Sequence, residues 1–145
     1  MSVEIGKPAP TFTLPASGGS DISLEDFKGK TVVLYFYPKD DTPGCTKEAC
    51  DFRDSWTRVT HAGAVVLGVS ADSVASHDKF KEKYDLPFPL LSDRDHKVST
   101  DYGTWSGLGT ERATFVIAPD GNLKAIFRKV KVAGHVDEVL EAVAR

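Results

Sequence analysis

Thr31-Val32-Val33-Leu34-Tyr35-Phe36-Tyr37-Pro38-Lys39-Asp40-Asp41-Thr42-Pro43-Gly44-Cys45-Thr46-Lys47-Glu48-Ala49-Cys50 is the stretch on which the fold turns. Its first seven residues are β-branched, apolar or aromatic without alternation, the pattern of a strand covered on both faces as in a parallel sheet. Pro38 ends that strand. From Thr42 the signals become helical: Thr42 is a good N-cap and Pro43 suits the first helical position. Ala49, Phe52, Trp56 and Val59 then follow at spacings of three and four until Gly63 stops the helix.

The same alternation continues outward. Residues 64–69 read as a second buried strand, 73–84 as a helix, 90–91 as a short strand and 97–102 as a short helix. Residues 113–118 and 123–128 flank Pro119-Asp120-Gly121-Asn122, a turn that predicts an antiparallel hairpin, and a last helix spans 135–144. Upstream, residues 11–14 and 21–24 surround Ala16-Ser17-Gly18-Gly19-Ser20 and predict an N-terminal β-hairpin. Parallel crossovers plus an antiparallel edge leave few topologies, and the expected fold class is a three-layer α/β sandwich with a central mixed sheet flanked by helices.

Composition narrows the function. The 145 residues fit one domain, 1–145, and 41% apolar against 27% charged residues is an ordinary globular balance. Eighteen Lys and Arg against 21 Asp and Glu leave a net charge of −3, so no basic nucleic-acid footprint exists. The apolar runs at 32–37 and 114–118 fall far short of the roughly 20 residues a bilayer span needs. The start, Met1 to Pro8, lacks the order of a signal or transit peptide, which makes a cytoplasmic protein the expectation. No Gly-rich phosphate loop is present, and His61, His77, His96 and His135 are scattered, read as surface or helix-end residues. Neither a metal nor a nucleotide cofactor is expected.

Two cysteines, Cys45 and Cys50, are too few for a disulfide scaffold, so their closeness asks for a chemical reason. With Thr42 as N-cap, Cys45 falls at the third helical position, where unpaired amides and the helix dipole favour a thiolate. Cys45 shares a face with Ala49, Phe52 and Trp56, which directs its sulfur to the buried side, whereas Cys50 lies off that stripe. The plain alternative for either residue is a small buried hydrophobe.

Pro38, Thr42 and Cys45 form Pro-x-x-x-Thr-x-x-Cys, which resembles the active-site motif of the peroxiredoxins. A second cysteine five residues on is similar to the bacterioferritin comigratory protein, or peroxiredoxin Q, subfamily. The likeness extends through Gly6-Lys7-Pro8-Ala9-Pro10-Thr11-Phe12, Phe88-Pro89-Leu90-Leu91-Ser92-Asp93 and Glu111-Arg112-Ala113-Thr114-Phe115-Val116-Ile117. The resemblance implies a thioredoxin-like fold and reduction of hydrogen peroxide or alkyl hydroperoxides by thiol chemistry. It implies Cys45 as peroxidatic nucleophile and Cys50 as resolving thiol, with an intramolecular disulfide that a thioredoxin- or glutaredoxin-type reductant resets. Thr42 and the Gly44 and Cys45 amides would meet the peroxide oxygens, Pro38 would close one wall, Arg112 would face the thiolate and Glu48 would orient Arg112. The partners so implied are peroxides and a protein reductant, on a monomer or weak dimer without nucleic acid or membrane. The chain departs from the pattern in a short segment at 102–110 and in Ala118, where Asp is frequent.

Geometry adds one expectation. Five helical residues advance about 7.5 Å and rotate about 140°, beyond the Cα separation of at most about 7 Å that a disulfide tolerates, so the helix start must unwind for Cys45 and Cys50 to bond. Two other readings stay open from the residues alone: a thioredoxin-like dithiol oxidoreductase, disfavoured because such enzymes use Cys-x-x-Cys, and a binding or chaperone-like module with incidental cysteines.

Overall fold

The computed structural model describes residues 3–145. Met1 and Ser2, the beginning of the N-terminal stretch read above, lie outside them.

The chain runs β1 (Thr13–Pro15), β2 (Asp21–Ser23), a 3-10 turn (Leu24–Phe27), β3 (Thr31–Phe36), α1 (Pro43–Asp54), α2 (Trp56–His61) and β4 (Ala64–Ser70). It continues through α3 (Val74–Tyr84), β5 (Leu90–Ser92), α4 (Lys97–Asp101), β6 (Ala113–Ile117), β7 (Leu123–Phe127) and α5 (His135–Ala144). Five strands make one sheet in the order β5-β4-β3-β6-β7, and β1 and β2 pair as the separate N-terminal hairpin.

β3 is central because every residue in it is apolar, aromatic or β-branched and all six are buried. It pairs in parallel with β4 (Thr31 with Ala64, Phe36 with Val69) and antiparallel with β6 (Val32 with Ile117, Phe36 with Ala113). The pleat then divides the core. Val33, Tyr35 and Tyr37 face α1, α2, α5 and Phe80 of α3, while Val32, Leu34 and Phe36 face α4 and the N-terminal chain at Phe12 and Leu14. The sheet is the middle of three layers, and the layer on the α4 face is built from short pieces.

The continuous helix expected from Thr42 to Gly63 is in fact two. Ser55 leaves helical geometry at φ −100°, ψ 14°, dividing α1 from α2. Its carbonyl still accepts from the Val59 amide at 3.1 Å, so Cys45, Ala49, Phe52, Trp56 and Val59 keep one buried stripe across the break. The 3-10 turn after β2 has no counterpart in the sequence reading; Ser23 and Asp26 close it as a capping box.

Candidate active site

The site forms where β3 hands over to α1. Beyond Phe36 the chain exposes Pro38 and Lys39, buries Asp40, and turns through Asp41 at φ 56° before α1 begins. Pro43 is the first residue of α1, so Cys45 occupies its third position, and the amides of Gly44 and Cys45 belong to the first turn that has no intrahelical acceptor. Cys45 is buried among Tyr35, Tyr37, Ala49 and Phe52.

Thr42 occupies the cap position, but its side chain does not cap. Its hydroxyl donates instead to the Lys39 carbonyl at 2.8 Å. The hydroxyl proton is thereby committed to the loop, and the oxygen keeps its lone pairs for an incoming donor.

Arg112 arrives from the neighbouring strand. The β3–β6 register pairs Phe36 with Ala113, so one step further Arg112 lies beside Tyr37 on the α1 face of the sheet. Its Nη2 donates to Cys45 Sγ at 3.3 Å and its Nη1 to Glu48 Oε1 at 2.7 Å. Gly44 leaves the room for this approach, since a Cβ there would stand 3.1 Å from Arg112 Nη2. Burial alone would lower the Arg112 pKa, but the Glu48 charge and the bonded sulfur outweigh it and raise it. The guanidinium is a fixed cation beside the sulfur, a placement that stabilises negative charge there.

Glu48 is fully buried despite its charge, one helical turn beyond Cys45 on the protein side of α1. Burial pushes its carboxyl up to about 7 against the pull of Arg112, and its second oxygen, Oε2, has no partner among the described residues. The Tyr35 hydroxyl is buried nearby and likewise unpartnered; burial, then the charges of Glu48 and Cys45, hold its pKa well above that of a free phenol.

Of the residues expected from sequence, Cys45, Gly44, Glu48 and Arg112 are in mutual reach, and Thr42 stands at the head of the same turn. Pro38 is exposed on the approach to the site. Cys50 is apart: it is half-buried, unbonded, and burial pushes its thiol up. The reading of all four histidines as surface or helix-end groups fails at His77, which lies within α3 and is buried because its ring nitrogens find Asp40 and the Leu91 carbonyl inside. His135 is a helix-end residue, the first of α5, and is also buried, its ring nitrogens meeting Thr114 within the core and the exposed Glu138. His77, Phe80 and Tyr84 share one face of α3 at spacings of three and four, the pattern that marks His77 as inward.

Residues 5–126 match the model of the AhpC/TSA family. A putative peroxiredoxin Bcp of Coxiella burnetii is 55% identical over 97% of this chain and 98% of its own. The chain belongs to the AhpC/TSA family of peroxiredoxins. Within that family its likeness is to the Bcp and peroxiredoxin Q proteins, Bacillus subtilis peroxiredoxin Bcp being 49% identical over 97% of this chain and 95% of its own. The solved structure of Xanthomonas campestris peroxiredoxin Q superposes with a TM-score of 0.90 at 43% identity, covering 97% of this chain and 94% of that one. The thioredoxin-like sheet order and the N-terminal hairpin are those of a peroxiredoxin, and the chain is accordingly a thiol peroxidase.

Proposed function

We propose that this peroxiredoxin reduces hydrogen peroxide and alkyl hydroperoxides at Cys45 and resolves the product with Cys50 inside the same chain. The observation that carries the proposal is the Arg112 guanidinium bridging Glu48 and the Cys45 sulfur at the start of α1. A cation, two free amides and a nucleophile converge where an O–O bond would break.

In the first step the Cys45 thiolate attacks the terminal oxygen of R–O–O–H. An S–O bond forms, the O–O bond breaks, and Cys45 becomes a sulfenic acid. The leaving oxygen departs with the electron pair as RO⁻ and takes a proton to become ROH. Thr42 Oγ accepts from the O–H of the attacked oxygen, while Arg112 and the Gly44 and Cys45 amides face the charge that develops on the leaving one. Pro38 walls the approach and lacks an amide that could compete for the peroxide.

In the second step Cys50 sulfur attacks Cys45 sulfur and the sulfenic oxygen leaves as water. The intact helix holds the two residues about 7.5 Å apart along its axis, so the first turns of α1 must unwind. Unwinding also removes the burial that pushes the Cys50 thiol up, which couples opening to the appearance of its thiolate. A thioredoxin- or glutaredoxin-type dithiol then reduces the disulfide, in the reducing setting of the cytoplasm.

The test is one equivalent of hydrogen peroxide on reduced protein, followed by alkylation and mass spectrometry. A Cys45–Cys50 disulfide in the native chain, and sulfenic Cys45 persisting in Cys50→Ser, is the expected result. Thiols that both stay reduced would sink the proposal.

A further inference from the structure

A second polar cluster lies behind the loop that leads into α1, and the chemistry above makes no use of it. Asp40 is buried at its centre. Its Oδ1 accepts from the Tyr37 hydroxyl at 2.6 Å and its Oδ2 from the Ser76 hydroxyl at 2.8 Å. His77 Nδ1 stands 2.7 Å from the same Oδ2, and the His77 ring is wholly buried. The Asp40 amide donates to Asp72 Oδ2 at 2.8 Å, and that oxygen also accepts from Ser70 Oγ at 2.7 Å.

The proton count in this cluster is fixed by its partners. His77 Nε2 lies 2.9 Å from the Leu91 carbonyl, which can only accept, so Nε2 carries a hydrogen. Nδ1 and Oδ2 at 2.7 Å would then oppose lone pair to lone pair unless a further proton lies between them. That proton is shared by a buried acid and a buried base. Pulling Asp40 out would take from His77 Nδ1 and from the Tyr37 hydroxyl their short partners in the interior, which is costly.

The loop on which Thr42 sits is held by little else of comparable burial. The Asp41 carboxylate meets Lys83 Nζ at 2.8 Å and the Tyr84 hydroxyl at 2.7 Å, but that contact is exposed and worth little. Thr42 Oγ bonds to the carbonyl of Lys39, the residue preceding Asp40, so the hydroxyl inherits its position from the Asp40 anchor.

We infer that Asp40, held by His77, is a positioning residue of the peroxidase: a fixed post that seats Thr42 and the first turn of α1 for attack on peroxide, and at which the unwinding that joins Cys45 to Cys50 stops. The inference rests on the two-cysteine reading proposed above. Without the post, the segment from Pro38 onward takes part in the opening. The closed form loses its registration and the opened form gains freedom, so both effects favour opening.

The two chemical steps should therefore respond in opposite directions. In Asp40→Ala, oxidation of Cys45 falls about 10-fold to 100-fold, the loss that misplaced groups bring. Disulfide formation from the sulfenic acid proceeds at least as fast as in the native chain, and less Cys45 is carried on to sulfinic acid at high peroxide. Asp40→Asn restores oxidation to near the native rate, because its amide can donate to His77 Nδ1 and Ser76 Oγ while its carbonyl accepts from Tyr37. Rapid quenching with alkylation and mass spectrometry reads both rates, and Ser76→Ala, which removes a single bond, carries the test in the same direction if Asp40→Ala does not fold. Folded variants in which both rates are unchanged, or fall together, overturn the inference. A native chain that forms no Cys45–Cys50 disulfide would instead overturn the two-cysteine reading.

Discussion

Replacing Glu48 by Gln isolates the cost of burying a charge beside the nucleophile. In the folded chain burial pushes the Glu48 carboxyl from 4.5 to about 7. Below pH 4.5 the folded and unfolded chains both hold the proton, and Glu48 contributes no pH dependence. Between 4.5 and about 7 the unfolded chain gives its proton up while the folded chain keeps it, so stability falls as pH rises. Above 7 both are ionised and the difference levels at about 3 kcal/mol, from a shift of 7 minus 4.5 units at about 1.4 kcal/mol each. Gln has nearly the same shape, and its carbonyl can still accept from Arg112 Nη1, but it does not titrate. Urea unfolding of the reduced native and Glu48→Gln proteins at intervals from pH 4.5 to 8 cancels every other titrating group in the difference. The variant should gain about 3 kcal/mol relative to the native chain across that window, on top of any constant offset from the weakened Arg112 bond. A difference that stays flat with pH would refute a carboxyl whose burial outweighs the pull of Arg112.

Three further substitutions test the packing of the site. Gly44→Ala should leave the start of α1 as stable or more so, by up to about 1 kcal/mol. Its Cβ would nevertheless stand 3.1 Å from Arg112 Nη2, so the guanidinium must shift by a few tenths of an ångström against the sulfur; stopped-flow measurement should find slower oxidation of Cys45 in a protein with no loss of thermal stability. Arg112→Lys keeps the charge but cannot span both Glu48 and Cys45, and kcat/KM for peroxide should fall about 100-fold to 1,000-fold with the fold intact by circular dichroism. Gly68→Ala puts a Cβ 2.9 Å from Leu90 Cδ2 and 3.0 Å from the Tyr35 ring and hydroxyl. Tyr35 is stacked on Phe52 and set edge-on to Phe88, so it cannot yield, and denaturation should register a loss of about 1–3 kcal/mol.

What the sequence disclosed of this molecule is what local rules govern. The unbroken apolar run at Thr31–Phe36 announced a strand buried on both faces, and the strand is central. Pro43 at the head of α1 and the stripe through Cys45, Ala49 and Phe52 located the nucleophile at a helix start and on its inner side. The break at Ser55 leaves no mark in the periodicity, because the stripe survives a single residue of altered geometry whose carbonyl still accepts from Val59. Thr42 takes the cap position that its type suits, while its hydroxyl turns to the Lys39 carbonyl offered by the loop, a contact no local rule discloses.

The rest depends on residues that meet only through the sheet. Glu111-Arg112 reads as surface charge until the β3–β6 register sets Arg112 beside Tyr37 and over α1. Glu48 reads as a solvated helix residue until Arg112 is there to receive it, and the pairing lets Glu48 be buried and Arg112 half-buried. The same holds of Asp40 and His77, 37 residues apart, which satisfy each other across the junction of loop and α3. In all three cases a charged side chain looks exposed from its own element, and its partner is supplied by a neighbouring strand or helix. Local patterns thus locate the nucleophile, while the groups that hold its charge and its loop in place are products of topology. Those groups are also where a substitution can change the chemistry while leaving the motif untouched.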